Sequence, residues 1–116
     1  MAGPLTREQE RSLWLHQALL RELLTSPTEV LQHARRNLDQ WRLVHRSDGR
    51  TVRYLDQWVH IIDSGVDAVI ETFTSRVPSA NELRQNSPFA GVLSGETRAQ
   101  VLRSFSDHWS REHDAA

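Results

Sequence analysis

The amino-acid sequence predicts an all-α fold, a compact bundle of about five to six helices that begins with a long antiparallel helical hairpin. Three observations lead to this prediction. Glycines and prolines fall at the boundaries of segments. Within the segments, apolar residues recur every three or four positions, the spacing of one helix face. Several segments also open on Ser or Thr with Glu or Gln three positions later, which is the capping box of a helix N-terminus.

The first two predicted helices form the hairpin. Thr6 and Gln9 make a capping box, and the helix that they open extends over residues 6–24. Residues 26–29 (Ser-Pro-Thr-Glu) then supply an N-cap, a proline at the first helical position and a reciprocal acid. This second helix is expected to end before the turn tripeptide of residues 47–49 (Ser-Asp-Gly). Because so short a loop joins the two helices, they should lie antiparallel.

Two shorter helices are predicted next. Thr51 is placed as the N-cap of the third helix, which Ser64 and Gly65 should end. The fourth helix follows and reaches about Phe73. Residues 59–73 are rich in β-branched side chains and would also suit a strand, but they lack strict alternation, so helix is preferred.

The last part of the chain is predicted to hold two more helices and an ordered turn. Ser79 and Glu82 form a capping box for a short fifth helix that ends before Pro88. Residues 86–91 should form a turn in which Gly91 tolerates a positive φ. Ser94 is expected to begin the sixth helix.

Length and composition predict a single globular domain over residues 1–116, ordered over about 6–112. The chain has 116 residues, a net charge of −1, 38 % hydrophobic residues and no cysteine. Its apolar runs are too short to cross a membrane, and its first residues do not resemble a signal peptide. We therefore expect a cytoplasmic protein without disulfides or thiol chemistry.

The sequence predicts no enzyme, no metal site and no cofactor. The six histidines include no pair four positions apart, as a helical zinc site usually needs, so we expect them on the surface or at an interface. The phosphate-binding glycine loops and the nucleophile motif Gly-x-Ser-x-Gly are also missing.

Charge is distributed unevenly along the chain. Residues 35–53 hold six arginines and two acids, whereas residues 56–82 hold five acids and one arginine. These stretches could be solvated faces that partly neutralise each other, or a bipolar surface that steers a partner. Asp63, Asp67 and Glu71 would line one side if the third and fourth helices were continuous.

Tryptophan is frequent for this length, with four residues. Trp41 and Trp58 fit the apolar stripes of the core. Trp14 and Trp109 lie at stripe edges, where a core position is favoured and a role as partner anchor is the alternative.

Three parts of the sequence are more distinctive than helix connections require. They are residues 12–16 (Ser-Leu-Trp-Leu-His), residues 34–38 (Ala-Arg-Arg-Asn-Leu), and the pair of segments 74–76 and 81–93. Together they resemble small bacterial proteins that form the antitoxin halves of two-gene modules whose toxin is a nucleotidyltransferase, similar to the mycobacterial MenAT systems. The resemblance covers about residues 12–112. It implies a protein that binds its toxin and blocks access to the toxin's cleft, without a need to bind DNA.

The candidate partner-binding residues follow from physical arguments. A stiff turn at residues 86–89 could present Phe89 together with hydrogen-bonding groups, although Phe89 and Leu93 could equally fold inward. The arginine run could meet an acidic metal-binding site on a transferase. The full set of candidates is Arg35, Arg42, Arg46, Arg84, Asn86, Ser87, Pro88, Phe89 and Trp109.

Two other kinds of function stay open. A helix-turn-helix regulator would need a short turn and a basic recognition helix, but the best pair of helices, over residues 30–62, has a longer turn and only Arg53 as a base on its second helix. Nucleic acid is therefore not the favoured partner. A self-associating interaction module could instead dimerise through the apolar stripes of the first hairpin.

Overall fold

The computed structural model describes residues 4–44 and 49–113. This part of the chain contains six helices and no strand, which confirms the predicted all-α bundle. The helices are α1 (Arg7–Thr25), α2 (Pro27–Val44), α3 (Gly49–Asp63), α4 (Val66–Thr74), α5 (Pro78–Gln85) and α6 (Gly95–His113).

The N-terminal hairpin forms as its caps predict. The Thr6 hydroxyl accepts a hydrogen bond from the backbone N–H of Gln9 at 3.2 Å, and the Gln9 side chain accepts one from the Thr6 N–H at 2.9 Å. This reciprocal pair is the predicted capping box. Only Ser26 separates α1 from α2, and the two helices pack against each other.

Two predicted helix starts are wrong by a few residues. Helix α3 begins at Gly49, so Thr51 is not its N-cap and Gly49 is helical. Residues 47 and 48 of the predicted turn lie outside the described residues. Helix α5 begins at Pro78 with Val77 as its N-cap, so Ser79 lies inside the first turn and caps nothing. Proline has a suitable φ and no N–H to satisfy at the first helical position, and this fixes the earlier start.

The remaining boundaries agree with the prediction. Gly65, with φ of 109°, separates α3 from α4, so Asp63, Asp67 and Glu71 do not share one continuous helix. At the start of α6, the Ser94 hydroxyl accepts a hydrogen bond from the Thr97 N–H at 3.1 Å. Ser94 is thus the N-cap that the sequence predicts.

Helix α1 lies at the centre of the bundle and packs against α2, α4, α5 and α6. One main hydrophobic core forms beneath it from the first five helices and the loop after α5. Its fully enclosed aromatic residues include Trp58 and Phe73. The buried members of this core are Leu19, Leu23, Val30, Ala34, Leu38, Tyr54, Leu55, Trp58, Ile62, Val69, Phe73, Leu83 and Phe89.

Helix α6 is attached differently. It packs mainly on α1, and Phe105 is its one fully buried residue. The Phe105 ring lies edge-on to Trp14 of α1, with the ring centroids 5.6 Å apart. The described part of the molecule measures 47 × 31 × 26 Å, and none of its helices is both long and apolar enough to span a membrane.

Candidate functional site

The loop that joins α5 to α6 (residues 86–94, the α5–α6 loop) contains residues 86–89, one of the two predicted recognition elements. In the structure, side chains of α1 and α2 hold this loop. The ring Nε2 of His16 is 2.9 Å from the Ser87 hydroxyl. On α2, the Asn37 amide donates to the carbonyl oxygens of Pro88 at 2.7 Å and Ala90 at 3.0 Å.

Two further side chains complete this attachment. His33 Nε2 donates to the Ala90 carbonyl at 2.8 Å, and Trp58 Nε1 of α3 donates to the carbonyls of Leu83 at 3.1 Å and Asn86 at 3.0 Å. Gly91 has φ of +88°, as predicted, and a Cβ on it would come within 3.0 Å of His33 Nε2. The loop is therefore a fixed part of the fold, because side chains of α2 and α3 satisfy its carbonyls and His16 of α1 bonds to its Ser87 hydroxyl.

Phe89 does not face a partner. Its residue surface is 2 % exposed, and its ring packs edge-on against Trp58 at 5.5 Å and Phe73 at 4.8 Å between centroids. Pro88 is fully buried as well. The prediction that these two residues form an exposed recognition surface is wrong, and the inward-facing alternative holds. Turn residues are usually exposed, but burying the large apolar ring of Phe89 gains more free energy than exposing it would.

Arg84 is also not a surface residue. Its Nη1 donates to the carbonyls of Thr72 at 2.8 Å and Ser75 at 2.6 Å, and its Nη2 donates to the side-chain oxygen of Asn81. These carbonyls lie at the end of α4, where the helix dipole favours a cation. Burial lowers the pKa of Arg84 from its ordinary value. The Nη groups therefore join α4 to α5 and are not free for a partner.

His16 departs from the expectation that the histidines lie at the surface. It is buried, its Nδ1 lies 2.6 Å from the Ser12 carbonyl, and its ring packs edge-on against Phe73. Because a carbonyl only accepts, Nδ1 carries the hydrogen and Nε2 accepts from the Ser87 hydroxyl. Burial, together with the nearby charge of Arg84, lowers the pKa of His16 to about 4. The ring is therefore neutral near pH 7.

The arginines proposed for steering are exposed but partly paired. Arg35 lies 2.8 Å from Asp63, and Arg42 lies 3.9 Å from Asp56. Both pairs connect α2 to α3, so here the basic and acidic stretches neutralise each other in part. Such exposed pairs contribute little to stability, and their members stay accessible to a partner. Arg46 lies outside the described residues.

Trp109, the remaining candidate, lies in an aromatic cleft between the start of α1 and the end of α6 (the α1–α6 cleft). The cleft has a volume of about 480 Å³. Trp14 and Trp109 are both half-buried in it and both lie close to Phe105. The Trp109 ring also stacks on His113, with 3.6 Å between centroids. The residues that line the cleft are Pro4, Leu5, Glu10, Trp14, Arg76, Phe105, His108, Trp109, Glu112 and His113.

The rim of the α1–α6 cleft carries charges of both signs. Glu10 and Arg76 form an ion pair at 2.9 Å, and Glu112 lies nearby in the lining. The Arg7 guanidinium lies over the Phe105 ring at 5.4 Å from its centroid. An apolar floor with a polar rim is typical of a protein-binding surface.

Sequence reasoning missed the side chains that hold the α5–α6 loop, namely His16, His33, Asn37 and Trp58. Periodicity could not identify them, because hydrogen bonds between distant helices leave no local pattern. The sequence did contain one indication of these contacts. The distinctive segments 12–16, 34–38 and 81–93 lie together around the α5–α6 loop, and holding this loop in place can explain their unusual residues.

In the part of the chain that the structure describes, no group of three or more His, Asp or Glu residues is arranged to hold a metal ion. No family model, curated protein or solved structure matches the chain. The α1–α6 cleft is thus the strongest candidate for a functional surface.

Proposed function

We propose that this chain is an antitoxin-like binding protein that neutralises a partner nucleotidyltransferase toxin by covering the toxin's active-site cleft. The observation that carries the binding role is the α1–α6 cleft, which places two half-buried tryptophans at an accessible surface. Tryptophans that are packed on one side and accessible on the other are characteristic anchors of protein interfaces.

The physical argument for a protein partner rests on what the cleft can bind. Its floor is formed by the partly exposed rings of Trp14 and Trp109, which suit an apolar or aromatic side chain, with the buried Phe105 ring packed behind them. The Glu10–Arg76 pair at the rim can exchange hydrogen bonds with a partner's backbone or polar groups. Helix α6 contributes half of the residues that line the cleft and has few other packing partners, so it can adjust its position when a partner binds.

The identity of the partner rests on the resemblance of segments 12–16, 34–38, 74–76 and 81–93 to antitoxins of this kind. Two of these segments reach the α1–α6 cleft, because Trp14 and Arg76 line it. Segments 34–38 and 81–93 meet instead at the α5–α6 loop. The site of action would be the cytoplasm, where such a toxin would meet its nucleotide substrate.

The test is co-expression with the protein encoded by the adjacent gene, followed by purification and mass determination by light scattering. A complex with a nucleotidyltransferase, and growth rescue on co-expression, would support the proposal. Trp109→Ala and Trp14→Ala should each weaken the complex by about 30-fold, the effect of a hot spot of about 2 kcal/mol. Circular dichroism must show that both variants keep their helicity.

Leu43→Ala is the matched control. Leu43 is an apolar residue on α2 that is 72 % exposed and does not line the cleft. Its substitution should change the affinity by less than about twofold, as expected of a residue outside the interface. If no nucleotidyltransferase binds, or if Leu43→Ala and Trp109→Ala weaken binding equally, the proposal is wrong.

Self-association through the first hairpin could not use the stripe residues Leu19, Leu23 and Ala34, because these are buried within the chain. Leu24, Leu43 and Val44 of the hairpin are exposed, so self-association stays an alternative. Within the described residues, Asp56 and Asp63 of α3 lie against arginines of α2, and these acids do not favour α3 as a basic recognition helix.

A further inference from the structure

A second cavity lies between α1, α5 and the α5–α6 loop, and we call it the His16 pocket. Its volume is about 260 Å³, large enough for a small organic molecule and much smaller than a protein segment needs. Leu15, Leu19 and Leu93 form an apolar wall, whereas Arg84, Ser87 and Arg98 supply polar groups. The pocket is lined by Ser12, Leu15, His16, Leu19, Arg84, Gln85, Ser87, Phe89, Ala90, Gly91, Leu93 and Arg98.

The unusual feature of this pocket is a buried cation that lacks an anionic partner. Arg84 is 2 % exposed, and the described residues offer its Nε no hydrogen-bond acceptor. Its Nη groups bond only to neutral oxygens, those of Thr72, Ser75 and Asn81. Within the described residues, no carboxylate lies within 4.0 Å of the guanidinium. A buried charge is costly unless an opposite charge accompanies it.

The positive charge extends into the pocket. The charge of Arg84 contributes to the lowered pKa of His16, after the larger effect of burial. The carboxylate that most influences Arg84 is that of Glu10, which forms its own ion pair with Arg76 at 2.9 Å. Arg98 of α6 adds a second guanidinium to the lining and is exposed. The pocket therefore combines two cations, two serines and an apolar wall.

We propose that the His16 pocket binds a small amphipathic anion, with its carboxylate or phosphate group toward Arg84 and Arg98 and its apolar body against Leu15, Leu19 and Leu93. Arg98 is exposed and can offer its planar fork to either oxyanion. Arg84 can offer only its Nε–H, because its Nη groups already bond to oxygens of the chain. The lining of the pocket shares no residue with the α1–α6 cleft.

The test uses hexanoate and hexyl phosphate as probes, with hexanol as the uncharged control of the same chain length. Titrations of the full chain are followed by amide chemical shifts. Both anions should give saturable shifts at Ser12, Ser87 and Gly91, and at least one should bind about 10- to 100-fold more tightly than hexanol, as expected of a charge-assisted hydrogen bond. The stronger of the two anions identifies the preferred head group.

Arg98→Gln tests the cationic end without disturbing Arg84, whose replacement could unfold the chain. This variant should lose about tenfold in anion affinity and should bind hexanol unchanged. Arg103→Gln is the matched control, because Arg103 is exposed on the same helix and does not line the pocket. Equal binding of hexanol and the two anions would overturn the proposal, and so would the absence of saturable shifts with both anions. Equal losses in Arg98→Gln and Arg103→Gln would show a general charge effect and would also overturn it.

Discussion

The burial of Phe89, and therefore its contribution to stability, is determined by contacts with residues that are distant in the chain. It lies between Trp58 and Phe73 with edge-to-face geometry and is almost completely buried. Phe89→Ala should therefore lower the free energy of unfolding by about 3–5 kcal/mol, because it removes a core ring and leaves a cavity. Urea denaturation followed by circular dichroism would measure this loss. A loss below about 1 kcal/mol would instead fit an exposed recognition residue.

The matched control for this prediction is Phe89→Leu, which keeps most of the apolar volume. It should cost less than the alanine variant, because a smaller cavity remains. Equal costs for the two substitutions would show that ring volume is not what stabilises the α5–α6 loop.

His16 should make stability depend on pH. Its pKa is lowered to about 4 in the folded chain from an ordinary value of 6.5, mainly by burial. Between these two values the unfolded chain binds more protons than the folded chain, so stability falls as the pH is lowered through this window. The size of this contribution is roughly 3 kcal/mol, which is present above pH 6.5 and lost by about pH 4.

The His16→Gln variant separates the pH dependence of stability that is due to His16 from the part that is due to the carboxylates. Glutamine does not titrate, so the stability difference between wild type and variant should shrink by roughly 3 kcal/mol from pH 7 to pH 4. Urea unfolding at both pH values gives the difference directly. A difference that stays constant with pH would mean that His16 does not change its protonation on unfolding.

At the scale of the elements, the sequence predicted where helices form better than where they begin. All six helices follow from apolar spacing and from Gly65 and Pro27, because these signals are local. The start of α5 was misplaced because the Ser79–Glu82 capping-box pattern was preferred to the signal of Pro78, which suits the first helical position. The contacts of His16, Asn37 and Arg84 could not be predicted, because they join residues that are distant in the chain.

Helix α6 should be the least stable element of the bundle. It packs mainly on α1 and has one fully buried residue, Phe105. Backbone amides in α6 should exchange with solvent at least about tenfold faster than those in the centre of α1 or α3, through local unfolding. Native-state hydrogen exchange followed by NMR measures each helix separately. Similar protection in α6 and α1 would mean that the six helices unfold as one unit.

The Phe105→Ala variant tests whether α6 unfolds separately from the other helices. It should accelerate exchange throughout α6 and leave the protection of α3 nearly unchanged, because Phe105 lies outside the main core. A uniform loss of protection would show instead that α6 is required for the stability of the other five helices.

Charge is a property of the whole molecule, and the fold brings the basic and acidic stretches together. Arg35 pairs with Asp63 and Arg42 with Asp56, so α2 and α3 form a mixed surface although the sequence separates their signs. If the arginines steer a nucleotidyltransferase, Arg42→Glu should slow association several-fold at low salt and much less at high salt, because ions screen exposed charges. Stopped-flow mixing with the partner at two salt concentrations measures this rate.

The control for this prediction is Arg103→Glu, which changes the net charge by the same amount but on α6, and which should slow association less. A slowing by Arg42→Glu that does not depend on salt would contradict steering and would indicate a direct contact, because only long-range attraction is screened in this way.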